Sequence, residues 1–346
     1  MNDAPHLRFA ADARALLGSR KALLAVSGGP DSIALMHLAA RWRQTTPGAP
    51  ALAVATVDHA LRPESGEEAA KVAAWAAALD LPHAILRWRS EKPARRIQEA
   101  ARDARYALLA AHAGAIGADA LVTAHHADDQ AETILFRLTR GSGIAGLAGM
   151  AGVSQRHGLA LHRPLLGWRK AELLAFCASE SLAFVDDPSN ADAKFARVRL
   201  RLLGARLEQE GLDDAALIRL ARRAGRANAA LVGLTDQAEA KLDLRFEESA
   251  CRLDARKLAA EPEEIVLRLL DRLIRRIGGE RRLRFERLES LGARLIDATT
   301  RGLAFAATLG GALLRLDSAG RLTLSRAPAR RNDAKSAGLA ADNGKS

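Results

Sequence analysis

The chain has 346 residues, nearly half of them apolar, enough to bury two or three domain cores without disulfide staples. A formal charge of +11 favours a polyanionic partner such as a nucleic acid, while a single tyrosine and few other aromatics argue against an extended base-stacking platform. Cys177 and Cys251 are the two cysteines; lying far apart, they argue against a disulfide framework, a zinc site and a redox pair. No stretch reaches the ~18 apolar residues of a membrane span, and the first ten residues lack a secretory pattern, so a soluble cytoplasmic protein without a membrane anchor is expected.

The apolar runs 22–26, 52–57, 84–86 and 120–123 predict short strands. Between them, 31–43, 66–80 and 97–116 place apolar residues three and four apart, which predicts helices. Such alternation predicts βαβ units around a parallel sheet, with ligands at the carboxyl ends of the strands.

The first such end carries Ser27-Gly28-Gly29-Pro30-Asp31-Ser32. A strand, a glycine turn and a helix start bring free N–H groups and the positive helix end to one place, which suits phosphate. Gly28 and Gly29 allow close backbone approach, and Pro30 fits the first helical turn. Ser27 and Ser32 offer hydroxyl donors. The GxxxxGK[ST] pattern of an ordinary Walker loop is absent. An aspartate beside polyphosphate needs an intervening cation, so Asp31 is a candidate Mg²⁺ ligand; the alternative is a helix-start acid that stabilises the dipole.

The second strand ends in Asp58-His59-Ala60-Leu61-Arg62, whose charges face either a ligand or one another in a loop salt bridge. Residues 98–106 (QEAARDARY) form a helix on which Glu99, Arg102 and Arg105 share a face. Arg102 and Arg105 suit phosphate, an internal Glu99–Arg102 pair is the alternative, and Tyr106 is expected to pack. The fourth strand runs into Ala124-His125-His126-Ala127-Asp128-Asp129-Gln130-Ala131-Glu132-Thr133. That set does not follow zinc-ligand spacing, so nucleotide and Mg²⁺ handling is preferred. Arg163-Pro164-Leu165-Leu166 is expected to begin a further strand, with Arg169, Glu172 and Leu173 on a helix. Arg197, Arg199 and Arg201 follow Asp187-Pro188-Ser189-Asn190 as a handle for nucleic-acid phosphate, or as a solvated helix face.

Beyond 205 the texture changes. Residues 212–241 and 261–297 predict helices, and Pro262-Glu263-Glu264 suits a helix start. Gly310-Gly311 and Ser318-Ala319-Gly320 predict two hairpin turns within 303–326. The expected organisation is a catalytic domain over 1–205, a mostly helical α+β domain for tRNA or substrate over 212–326, and a disordered tail over 327–346.

SGGPDS resembles the SGGxDS loop of the PP-loop ATP pyrophosphatases. DHALR, QEAARDARY, HHADDQAET, RGSGIAGLAGM and DPSN…RVRLR together resemble the tRNA(Ile)-lysidine synthetase family across residues 20–201. Val198 stands where that family commonly has Asn, and a third domain found in its longer members is not expected here. The resemblance implies a Rossmann-like, adenine nucleotide α-hydrolase-like fold, with ATP and Mg²⁺ as cofactors. It implies that ATP adenylates C2 of cytidine 34 in a CAU-anticodon tRNA(Ile), and that free lysine then displaces AMP. Codon reading thereby changes from AUG to AUA. Asp31, Asp129, Arg105 and Arg197 are then the catalytic set, with Asp31 and Asp129 on the metal. Ser27, Gly28, Gly29, Pro30, Asp31, Ser32, His125 and His126 hold the nucleotide. Asp58, His59, Arg62, Arg102, Arg199 and Arg201 face the tRNA, and a homodimer is possible. The rival readings are another PP-loop enzyme, such as a base thiolase, and a catalytically silent RNA-binding protein. Two isolated cysteines disfavour the thiolase, and retention of Asp31 and Asp129 disfavours the silent protein.

Overall fold

The computed structural model describes residues 5–60, 65–90, 93, 97–185, 203–204, 206–248, 250–279 and 283–328. The chain forms two compact units that divide between Gly225 and Arg226. In the first, α1 (Pro5–Asp12) and a 3-10 turn precede β1 (Lys21–Ala25), α2 (Pro30–Thr45), β2 (Ala51–Asp58), α3 (Ser65–Ala77) and β3 (His83–Arg87). Then follow α4 (Ile97–Ala115), β4 (Ala120–Thr123), α5 (Ala127–Leu138), α6 (Ile144–Leu147), β5 (Val153–Arg156), β6 (Leu159–His162) and α7 (Lys170–Ser179). Each predicted strand and helix up to residue 123 is present, with ends shifted by a few residues at most.

The strands form a six-stranded sheet in the order β3-β2-β1-β4-β6-β5. All neighbours are parallel except β5, which pairs antiparallel with β6. Alternation of side chains divides the core into two layers. Ala22, Leu24, Leu52, Val54, Ala120 and Val122 pack on the side of α1, α2 and α7. Leu23, Ala25, Ala53, Ala55, Leu121 and Leu161 pack with Tyr106 and Leu109 of α4. Phe9 and Trp42 meet edge to face at 6.2 Å, and the Trp168 indole donates to Asp12 at 2.9 Å. These contacts dock α1, an element without a distinct signal in the sequence.

The strand expected from Arg163 is displaced. β6 closes at His162, and 163–166 form a turn, because Pro164 has no N–H to give a ladder. The antiparallel edge β5 was also not anticipated, and it makes the sheet mixed.

The helix expected over 212–241 is α8 (Asp214–Lys241), and the two units divide inside it. Its first turns pack Leu217 and Ala221 against Ile134 and Leu135 of α5, which ties them to the first unit. The second unit contains β7 (Arg245–Glu247), β8 (Ala250–Asp254), α9 (Ala255–Ala259), α10 (Glu263–Gly278), α11 (Phe285–Thr300), β9 (Phe305–Leu309), β10 (Ala312–Leu316) and β11 (Arg321–Arg326). Its antiparallel sheet runs β7-β8-β11-β10-β9. Ile265, Val266, Leu269, Leu270, Leu273 and Ile274 recur at helical spacing along α10 and fill the core beneath that sheet. Among the described residues no helix is long and apolar enough to cross a membrane. The tail from 329 lies outside the described residues.

Candidate nucleotide site

Strand order reverses beside β1: β2 lies on one side and β4 on the other, with Ala25 facing both Ala55 and Thr123. In open α/β sheets the crevice outside such a switch point is where ligands bind. The two strongest sequence signals, SGGPDS after β1 and HHADD after β4, leave the sheet on the two sides of this crevice.

Gly29 is the N-cap of α2, Pro30 its first residue, and no side chain caps this end. The helix start is therefore open to an anion. Gly28 is buried at φ +93°, a conformation L side chains avoid, and its carbonyl accepts from Val185 N–H at 2.9 Å. A Cβ there would meet Val72 Cγ2 at 3.2 Å and Val185 Cγ2 at 3.3 Å. Gly28→Ala should therefore distort the loop and weaken ATP binding about tenfold, through ~1–2 kcal/mol of backbone strain, as nucleotide titration would show.

Ser32 works differently from the expectation. Its hydroxyl is buried, donates to the Gly29 carbonyl at 2.9 Å and accepts from Ser27 N–H at 3.1 Å. It braces the loop from inside; Ser27 is exposed, with its hydroxyl 3.3 Å from that of Ser32. Cys177 of α7 donates to the Pro30 carbonyl at 3.5 Å, and burial together with Asp31 pushes its thiol up to about 11. It is a packing residue under the loop, not a nucleophile.

His126 joins the two loops. Its side chain is buried, with Nε2 3.5 Å from Asp31 Oδ2 and 3.6 Å from Asp129 Oδ2, and Nδ1 3.4 Å from Asp128 Oδ2. Burial opposes the charged imidazole, but hydrogen bonds to Asp128 and Asp31 and the charges of Asp129 and Asp31 override it. The pKa rises to about 10. At neutral pH the ring is thus an imidazolium whose Nδ1 donates to Asp128, so it does not accept the Asp129 N–H that lies 3.4 Å away. The reciprocal half of the helix cap, His126 N–H to Asp129 Oδ2 at 3.2 Å, persists. Asp128 is held low, to about 2, first by His126 and also by the Lys170 N–H at 2.9 Å.

Asp31 Oδ1 is buried and has no hydrogen-bond partner among the described residues. An anionic oxygen aimed into a phosphate crevice fits a hard cation. Among the described residues no group of three or more His, Cys, Asp or Glu side chains is arranged to hold a metal by itself. His125 Nδ1 lies 2.8 Å from Thr123 Oγ1, which fixes its ring at the end of β4.

Two functional supports were not singled out in the sequence. Gln130 grips the backbone of Met150 from both sides, Nε2 to the carbonyl at 2.8 Å and Oε1 from the N–H at 2.6 Å. Arg137 donates to the carbonyls of Gly146 and Gly149 at 2.6 and 2.7 Å. Together they fix the glycine-rich segment after α5 against the site. The available signal was a buried amide inside an otherwise amphipathic helix.

The remaining candidates disperse. Asp58 is buried and accepts from Ala60 N–H at 2.8 Å and Ser65 Oγ at 2.7 Å, with Arg87 Nε at 3.4 Å. Burial opposes its ionisation, yet these partners hold the carboxyl below its usual range. This geometry is that of the loop salt bridge. His59 stands edge-on to Trp88 at 6.0 Å. Tyr106 is buried, as expected, and Arg102 is exposed with its guanidinium 5.4 Å from the Tyr106 ring. Arg105 is half-buried; burial and the charge of Arg102 lower its pKa against the pull of Tyr106. Arg62, Arg197, Arg199, Arg201, Val198 and the 187–190 segment lie outside the described residues.

Residues 5–205 match the PP-loop domain family. The tRNA(Ile)-lysidine synthase of Rhodopseudomonas palustris is 50% identical over 335 residues, covering 93% of this chain and 96% of that protein. The protein of the same name from a Methylobacterium sp. is 52% identical over 313 residues, covering 89% and 90%. Among solved structures, the U34-tRNA thiolase NcsA from Methanococcus maripaludis, with its [4Fe-4S] cluster, superposes with a TM-score of 0.53. At 16% identity, over 63% of this chain and 78% of that one, it shares the fold. The ATP-utilising PP-loop domain, the paired loops at its switch point and half identity along nearly the whole chain place this protein in the tRNA(Ile)-lysidine synthase family.

Proposed function

We propose that the chain uses ATP to adenylate C2 of cytidine 34 in a CAU-anticodon tRNA(Ile) and then transfers free lysine to that carbon. The observation that carries this reading is the meeting of the two carboxyl-end loops on His126, with one oxygen of Asp31 left without a partner. The close relatives supply the substrate class.

ATP lies with its phosphates on Gly28, Gly29 and the start of α2. Mg²⁺ held by Asp31 and Asp129 would neutralise charge on the phosphates. The C2 oxygen attacks the α-phosphorus in line, the P–O bond to pyrophosphate breaks, and pyrophosphate leaves. Such transfer needs alignment and charge neutralisation more than covalent help from the protein. The lysine ε-amine then attacks C2, the bond to the AMP oxygen breaks, and AMP departs. The amine must lose a proton on the way. Asp214, at the start of α8, is held above the usual carboxylate range by burial and by Asp128, Glu208 and Glu132. A carboxylate with raised proton affinity suits that role.

Nucleophile dependence tests the reading. With unmodified CAU tRNA and ATP, lysine is the amine that should drive AMP release. Stimulation by sulfide or ammonia instead would favour another PP-loop enzyme, and no release with any of them would favour a silent RNA-binding protein.

A further inference from the structure

We propose that Arg102 and Arg156, both against the buried ring of Tyr106, and Arg163, at the end of β6, form a seat for a backbone phosphate of the bound RNA. This rests on the reading that the partner is RNA. The three guanidinium groups come from three elements: α4, β5 and the turn after β6. Arg156 lies 4.0 Å from the centre of the Tyr106 ring and Arg102 5.4 Å, so a rigid aromatic holds both.

Among the described residues, the charges of Arg156 and Arg163 are poorly compensated. Arg156 pairs with Asp103 at 3.1 Å, but that carboxylate is 68% exposed and therefore weakly stabilising. Arg163 gives Nη1 to neutral acceptors, the Ala151 carbonyl at 2.7 Å and Ser154 Oγ at 3.0 Å. The Nε groups of both Arg156 and Arg163 are buried with no acceptor among the described residues. Burial, with the charges of Arg102, Arg156 and Arg137 nearby, pushes the pKa of Arg163 down. Like charges crowded around orphaned donors need an anion, and the planar guanidinium fork matches phosphate geometry.

Position supports an RNA backbone as the source. Arg163 stands at the carboxyl end of β6, next in the sheet to β4, whose end carries HHADD. A strand that delivers a base to the switch point would pass its phosphates along this edge.

The test measures binding of a tRNA transcript to the full chain across a salt series, for Arg102→Gln, Arg156→Gln and Arg156→Lys, with melting temperature and ATP affinity alongside. Each Gln variant should lower the slope of log K against log salt, the two together by up to ~0.7–0.9, the share of one phosphate, and weaken RNA binding several-fold, leaving ATP affinity unchanged. Arg156→Lys, which keeps the charge, should restore most of the slope. An unchanged slope overturns the proposal whether or not melting temperature falls, since a structural role alone would move only the latter. Loss of ATP affinity in place of RNA affinity overturns it too, by making the seat part of the nucleotide site. Any tRNA sequence serves, so failure of lysine transfer would leave this result readable.

Discussion

Asp31→Asn should reduce pyrophosphate and AMP release by at least ~10²–10³-fold, the scale seen when one preorganised charge contact to a transferring group is removed. The side chain is about a quarter exposed and approaches His126 from one oxygen, while the other oxygen has no partner among the described residues. Asn keeps the shape and the position in the first turn of α2 but removes the charge. The fold should survive, because the core beneath α2 rests on Ile33, Leu35, Met36 and Leu38. The check is a stopped assay of pyrophosphate with melting temperature recorded on the same sample. Normal turnover would contradict a metal role for Asp31.

His126→Gln should have the larger effect on stability. The imidazolium stands among Asp31, Asp128 and Asp129, and its loss leaves three carboxylates facing one another without a cation. Removing one partner of a fully buried ion pair destabilises by ~3–5 kcal/mol; with the three carboxylates partly exposed to solvent, the loss here should fall below that range. The pH dependence follows from linkage. The folded pKa, about 10, lies above the ordinary 6.5. The stabilisation is therefore complete below ~6.5 and declines as pH rises toward the folded pKa of about 10, where the folded ring loses its proton. Urea unfolding of the two proteins in metal-free buffer should show a difference that is widest at pH ~6.5 and just below and shrinks through that window. Other groups titrate there as well, but they are common to both proteins, so the difference isolates His126. A gap that does not change with pH would mean that the ring acts by packing.

Local chemistry made much of this site legible. SGGPDS declares a strand–turn–helix phosphate loop because glycine, proline and helix-start requirements act within six residues. HHADD declared a polar strand end for the same reason. The contact between them was not legible. It arises from the adjacency of β1 and β4, which chain order does not state, and His126 becomes a cation only once three carboxylates converge on it. Ser32 shows the limit at a smaller scale, since its type allows either a ligand or the loop, and backbone geometry turned it inward. Asp58 is similar: Ser65, just beyond the DHALR segment, and Arg87, from the neighbouring strand, complete its partners. Pro164 was readable in principle, since a residue without N–H ends a ladder, but the apolar residues after it mimic a strand.

The most direct measurement of the central claim is transfer of labelled lysine to an unmodified CAU-anticodon tRNA(Ile) with ATP present. The account predicts label on cytidine 34, one AMP and one pyrophosphate released for each lysine joined, and no label when ATP is omitted or the anticodon is changed. AMP formed without label on the tRNA would contradict it.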